Sequence, residues 1–258
     1  MTWYTGDATY DTVLAIGFAF AAFVVVAQRF VQSPYGRFAS KTWGPSLDPR
    51  LGWWLMELPA TLVFLVVWLR APSWQEPTAL VLGVIWCLHY ANRGWFFPLS
   101  IRVAPGAKQT FGLTVVVAGW FVTAMHGYLN AAWFTSFGGF TTDWFTDPRF
   151  LLGLGVYYSG YALVLHSERV VRRLRTPGGP RYAIPHGGGF RWVTNPAYLG
   201  ELVGWAGFAL MTWSLAGVLI LCISAANLVP RAFATHAWYQ ETFDDYPKAR
   251  KVLVPWLI

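Results

Sequence analysis

Charge is what this sequence has least of. Asp, Glu, Lys and Arg make up 12% of its 258 residues, where a soluble globular chain carries about 25%. Too few polar side chains remain to coat a water-soluble globule, so that class is excluded first. Cysteine is nearly absent. Cys87 and Cys222 fall in apolar runs without metal or redox spacing, which excludes a disulfide framework and a zinc module and leaves two small buried side chains. There is no GxGxxG and no GxxxxGK[ST], so both soluble nucleotide-binding fingerprints are missing. No internal repeat or low-complexity tract is evident. The opening residues, MTWYTGDATYD, contain acidic side chains and no Lys or Arg, unlike a cleavable signal, so the first apolar run is expected to be retained.

What the chain has instead is long apolar runs. Seven are found, at about 9–29, 51–70, 77–98, 109–134, 150–172, 197–211 and 213–238, and roughly 20 residues suffice to cross a bilayer core. The sixth is short, and with the seventh it reads as a hairpin around TWSLAG. The fold class expected is therefore an all-α, polytopic integral membrane protein with seven transmembrane helices and no separate soluble domain. With the N-terminus outside and the C-terminus in the cytoplasm, seventeen of the nineteen Lys and Arg residues fall on the cytoplasmic side, leaving only Arg70 and Arg149 outside. That is the positive-inside pattern, and it accounts for the +7 net charge without calling on nucleic acid. No metal site is expected. Arg outnumbers Lys fifteen to four, the bias of a GC-rich genome; a bacterial source would place the chain in the inner membrane, a eukaryotic one in the endoplasmic reticulum.

Ionisable side chains inside such runs are costly and mark function. Glu57, the one carboxylate of its run, lies some 9 Å along the helix axis at 1.5 Å per residue, and Pro59 close behind it loosens the local backbone bonding. A buried, protonated Glu57 would donate a hydrogen bond. LHYANRGWFFP places Tyr90 close to the cation Arg93, with His89 and Arg93 four apart; an aromatic and basic interfacial belt is the alternative. His126 and Asn130, also four apart, face either a cavity or a neighbouring helix. The stretch ERVVRRLRTPGGPRYAIPHGGGFRWVTNPAYLGE carries six arginines. Topology explains many of them, but not Glu201 early in the sixth run, nor Asn195, Tyr198 and Glu201 at helical spacing. Asn195-Pro196 reads as an N-cap followed by a first-position proline. Such a helix start, with arginines about it, suits a phosphate.

These motifs, MELP, HYANR, LHSERVVRRLRTPGG, YLGE, WAGFALMTWSL, RAFATHAWY and FDDYPKARKVLVPW, resemble those of the steroid 5α-reductase family along nearly the whole chain. The C-terminal block alone is also similar to isoprenylcysteine methyltransferases. The resemblance implies a single domain over 1–258, substrate-side to about 110 and cofactor-side beyond. It implies NADPH bound from the cytoplasm and reduction of the Δ4 bond of 3-oxo-Δ4-steroids, with membrane lipids as the other partners. It puts Glu57 and Tyr90 on the steroid carbonyl, and Arg175, Tyr182, Glu201, Arg231, His236 and Tyr239 at the cofactor. Glu168 stands where the family often has Asp, and Asn195 stands in for a family asparagine from a shifted position. Trp53 is assigned to the substrate side and Arg102 to the cofactor. The chain departs from the family pattern at Met56, where Gln is usual, and at Val164, where Asn is. Two rival classes stand against this: an S-adenosylmethionine-dependent membrane methyltransferase, and a lipid-binding or transport protein whose arginines only set topology.

Overall fold

The computed structural model describes residues 4–30, 35–38, 44–103, 111–176, 179–180 and 182–258. Lys41, Lys108 and Arg181 of the basic loops lie outside these residues, as do Pro177 and Gly178 of the TPGG segment. Among the described residues, five helices are long and apolar enough to cross a bilayer: α1 (Ala8–Ala27), α2 (Pro49–Arg70), α5 (Leu113–Ala132), α6 (Pro148–Leu174) and α8 (Leu215–Thr242). The other two expected runs are helical but built differently. The third is a 14-residue α3 (Pro77–Tyr90) that widens into a π-helix at Ala91–Phe96 and closes as a short α4 (Phe97–Ser100). The wide turn precedes Pro98, whose ring would clash with an ordinary i−4 carbonyl. The sixth is a 17-residue α7 (Pro196–Thr212). Trp213, in the left-handed region at φ 44°, turns the chain into α8, which Ser214 caps by accepting the Gly217 N–H at 2.9 Å. This is the hairpin expected at TWSLAG. Beside the helices, Ser46–Leu47 (β1) and Phe111–Gly112 (β2) form a two-stranded antiparallel ladder, which ties the start of α2 to the start of α5.

The helices pack chiefly as α6 on α7 and α2 on α5, then α7 on α8 and α1 on α8. Glycines set the first contact. A Cβ at Gly160 would lie 2.4 Å from Gly204 N, and one at Gly207 would lie 2.3 Å from Tyr157 N. The two backbones therefore touch, as small residues permit between helices in lipid, where no hydrophobic force drives association. The α2–α5 contact is set by Pro59. Proline has no N–H, so the Leu55 carbonyl loses its helical donor; the Trp120 indole of α5 donates to it instead, at 2.6 Å. Thr123 Oγ1 likewise donates to the Met56 carbonyl at 3.0 Å. A backbone fault beside Glu57 is thus repaired by the neighbouring helix, and the repair locks the two together.

Candidate active site

Glu57 is buried on α2. The π-helix brings Arg93 against it: Arg93 Nε is 3.1 Å from Glu57 Oε1, and Arg93 Nη1 is 3.3 Å from Glu201 Oε2 on α7. One guanidinium therefore bridges two carboxyl groups that lie far apart in the chain. Gly94 makes the approach possible, since a Cβ there would already be 3.3 Å from Glu57 Cβ. Arg93 also lies over the Trp53 ring, 5.1 Å from its centroid. Tyr90 is 3% exposed, its ring 4.7 Å from that of Trp86, which stacks on Phe64. Next to it, His89 Nδ1 pairs with Tyr157 OH of α6 at 2.8 Å. The π turn changes the register after Tyr90, so His89 faces α6 and α7 while Arg93 reaches Glu57 and Glu201.

Trp53, Glu57, Tyr90, Arg93 and Glu201 border a cavity of about 850 Å³. Of the expected residues, Trp53, Glu57, Tyr90, Arg102, Glu168, Arg175 and Glu201 line it. The Glu57–Arg93–Glu201 cluster forms one part of its wall. Another part is basic, with Arg102, Arg172 and Arg175; Arg175 Nη1 donates to the Arg102 carbonyl at 2.6 Å. The lining from α1, α5 and α8 is largely apolar. A cavity with basic, apolar and buried polar walls suits a large amphipathic ligand beside a bulky anion.

The remaining expected residues sit behind the cavity wall. Arg231 donates from Nε to Tyr198 OH at 3.0 Å and from Nη2 to the Tyr35 carbonyl at 2.9 Å, with its guanidinium 3.7 Å from the Tyr35 ring centroid; Tyr35 and Tyr198 in turn line the cavity. Tyr182 and Tyr239 join Trp238 around Arg37, whose guanidinium is 5.6, 4.8 and 4.3 Å from their respective ring centroids. Asn195 is the N-cap of α7, but its side chain makes no cap bond. Its amide donates to the carbonyls of Ala232 and Val252 at 3.1 and 3.0 Å, and so ties α8 to the C-terminal segment. His236 Nδ1 pairs with Thr194 Oγ1, which also meets Tyr246 OH at 2.6 Å. The start of α7 is therefore covered by the C-terminal segment.

Sequence reasoning missed Arg37, which counted only toward topology. Among the described residues its Nη1 is buried without a hydrogen-bond partner, beside two tyrosines expected at a cofactor. A guanidinium with one unpartnered nitrogen, together with Arg102, Arg172 and Arg175 on the cavity wall, supplies the donors a dinucleotide's phosphates require, so the residues present fit a nicotinamide dinucleotide. The signal was in PYGRF, a lone arginine between tyrosine and phenylalanine.

Comparison with known proteins points the same way. The family model described as 3-oxo-5-alpha-steroid 4-dehydrogenase matches residues 109–258. The chain is similar to 3-oxo-5-alpha-steroid 4-dehydrogenase 1 of Rattus norvegicus, with 39% identity over 243 residues, 93% of this chain and 92% of the rat protein. It is 36% identical to steroid 5-alpha-reductase DET2 of Solanum lycopersicum over 93% of this chain and 92% of that protein. With 3-oxo-5-alpha-steroid 4-dehydrogenase 1 of Homo sapiens it shares 33% identity over 98% of both.

Proposed function

The chain belongs to the 3-oxo-5-alpha-steroid 4-dehydrogenase family of oxidoreductases acting on CH–CH bonds, and from that premise we propose that it is an integral membrane enzyme that reduces the Δ4 double bond of 3-oxo-Δ4-steroids to 5α-products with NADPH. The observation that carries the reading is the meeting of Glu57, Tyr90 and Arg93 on the wall of a cavity that Arg102, Arg172 and Arg175 also line.

Adding hydride to the β-carbon of an enone leaves negative charge on the carbonyl oxygen. NADPH, when bound, supplies the hydride. The protein's part is to hold that oxygen among hydrogen-bond donors in a water-poor site, where they act most strongly. Tyr90 OH is one donor. Glu57 is the second in its protonated form; with two carboxyl groups on one guanidinium, a single retained proton leaves the trio neutral. Arg93 positions Glu57 against Glu201 and, over the Trp53 ring, braces the wall beside the steroid. The α-carbon then takes a proton, so that enone, hydride and proton sum to the saturated ketone. On the basic wall Arg102 and Arg175, with Arg231 and Arg37 behind them, would take the phosphates. Glu168, Glu201, Tyr182 and Tyr239 would take the cofactor's polar edges. Asn195 and His236 act at one remove, by holding the C-terminal segment over the start of α7.

The test is incubation of detergent-solubilised protein with a 3-oxo-Δ4-steroid and NADPH deuterated at the transferable position. One deuterium at C5 of a 5α-product is expected, with less turnover from NADH. Folded protein that binds NADPH but reduces no such steroid, or that transfers methyl from S-adenosylmethionine, would overturn the proposal.

A further inference from the structure

His126 is left unused by this account. It lies on α5, is 5% exposed, and lines the same cavity. Among the described residues its Nε2 is buried and has no hydrogen-bond partner. Such an atom normally costs about 1–3 kcal/mol, and native structures keep few of them. Neighbouring polar groups do not explain it. Thr123, one turn earlier on the same face, spends its hydroxyl on the Met56 and Gly119 carbonyls at 3.0 and 2.8 Å. Asn130, one turn later, donates to the His126 main-chain carbonyl at 2.9 Å, which stiffens this part of α5 but leaves the imidazole alone.

The helix contacts say where the imidazole stands. A Cβ on Gly127 would lie 3.2 Å from the Ala60 carbonyl and 3.0 Å from Phe64 N, so α5 is pressed on α2 just beyond Glu57. Glu57 and Ala60 differ by three residues, a rise of about 4.5 Å. His126 therefore sits about one helical turn past the catalytic carboxyl, on a different helix from Tyr90, in a cavity whose lining from α5 and α8 also includes the apolar Val122 and Ile220. An unpaired imidazole nitrogen on an apolar wall recognises an oxygen, accepting from a hydroxyl or donating to a ketone according to its tautomer.

We infer that His126 is a specificity-determining residue: its imidazole meets a second oxygen of the steroid, on the rings beyond the enone, while Glu57 and Tyr90 hold the first. The inference rests on the steroid reading above and names the kind of steroid the cavity prefers, one oxygenated on ring C or D rather than bare hydrocarbon there. A site built around such a contact disfavours the analogue that lacks the oxygen, because its own polar group is then left unpaired.

The experiment compares a 3-oxo-Δ4-steroid that has no other oxygen with counterparts carrying one hydroxyl or ketone at C11 or C17. Equilibrium binding and kcat/KM are both measured, for wild type, His126→Leu and His126→Asn, each checked for a monodisperse elution profile. At least one oxygenated steroid is expected to bind wild type 10-fold or more tightly than the bare one. That advantage should fall to about one in His126→Leu and survive in part in His126→Asn. Equal binding of all the steroids to wild type, an advantage that persists in His126→Leu, or equal weakening of every steroid by both variants would overturn the inference. Selective binding without Δ4 reduction would overturn the reductase reading alone, and reduction without selectivity the His126 inference alone.

Discussion

Two arginines in this chain hold carboxyl groups under opposite conditions. Arg149 stands at the first turn of α6, its side chain 40% exposed, with Nη2 2.6 Å from Asp147 Oδ2. Arg93, its side chain 23% exposed, makes longer contacts of 3.1 and 3.3 Å to the buried Glu57 and to Glu201. Bond length alone would rank the Asp147 pair as the stronger. Burial reverses the order: water and ions screen the exposed pair, whereas Glu57 and Glu201 have Arg93 in place of the water they gave up. The exposed pair caps a helix. The Arg93 trio, centred on the buried Glu57, holds an acid where a carbonyl can meet it, and a change there reaches stability and chemistry together.

Arg93→Met breaks the comparison most severely. It leaves two carboxyl groups enclosed without their cation, a loss of about 3–5 kcal/mol for a buried pair, seen as a large fall in the melting temperature in detergent. Adding Glu57→Gln and Glu201→Gln to Arg93→Met should recover much of that stability and none of the activity. Recovery of turnover would mean that the trio only supports the fold.

On the basic wall, Arg175→Ala is expected to raise the KM for NADPH about 10–100-fold, since hydrogen bonds to charged groups are worth about 1.5–3 kcal/mol, with a smaller change in kcat. The KM for steroid should move less. Steady-state kinetics with each substrate varied in turn would show it, and a steroid effect as large as the cofactor effect would place Arg175 elsewhere.

Asp147→Asn gives the smallest effect. The side-chain hydrogen bond from Arg149 holds the Asp147 carboxyl down to about 2, below its ordinary 3.8. A depressed acid contributes stability above its unfolded value and loses it as pH falls through the folded one. Asparagine keeps the capping acceptor and drops the charge. The variant should therefore melt only slightly below wild type from pH 5 to 8, with the two curves converging as the pH approaches 2. A constant gap across that range would show that the cap, not the charge, had been damaged.

The apolar runs made most of the architecture legible, because lipid demands uninterrupted apolar length and each run is helical over most of its described residues. They said less about pitch. The third run splits at Tyr90 because Pro98 follows, and the resulting π turn decides which residues Arg93 meets. Glu57 and Tyr90 stood out as polar side chains in apolar surroundings, and both line the cavity. The partnership of Arg93 with Glu201 depends on α7, which packs beside the site through the glycine contact of α6 with α7, and no local pattern announces it. The expected phosphate site at Asn195 rested on the open start of an isolated helix. Here the C-terminal segment folds back on it, with Thr194 N donating to the Lys251 carbonyl at 2.8 Å, a contact between residues more than fifty positions apart. Arg37 was hidden for the same reason: its aromatic surround comes from three residues at the other end of the chain.

The central claim is that Glu57 and Tyr90 stabilise the charge that develops on the steroid carbonyl oxygen. Single-turnover reduction by NADPH, followed at saturating steroid in wild type, Glu57→Gln and Tyr90→Phe, tests it most directly, because it reads the reduction step apart from binding and release. Each variant is expected to slow that step by about 10²–10³, the loss found when one oxyanion donor is removed, with the double variant falling short of the product of the two. Reduction at the wild-type rate in both single variants, with folding intact, would contradict the account.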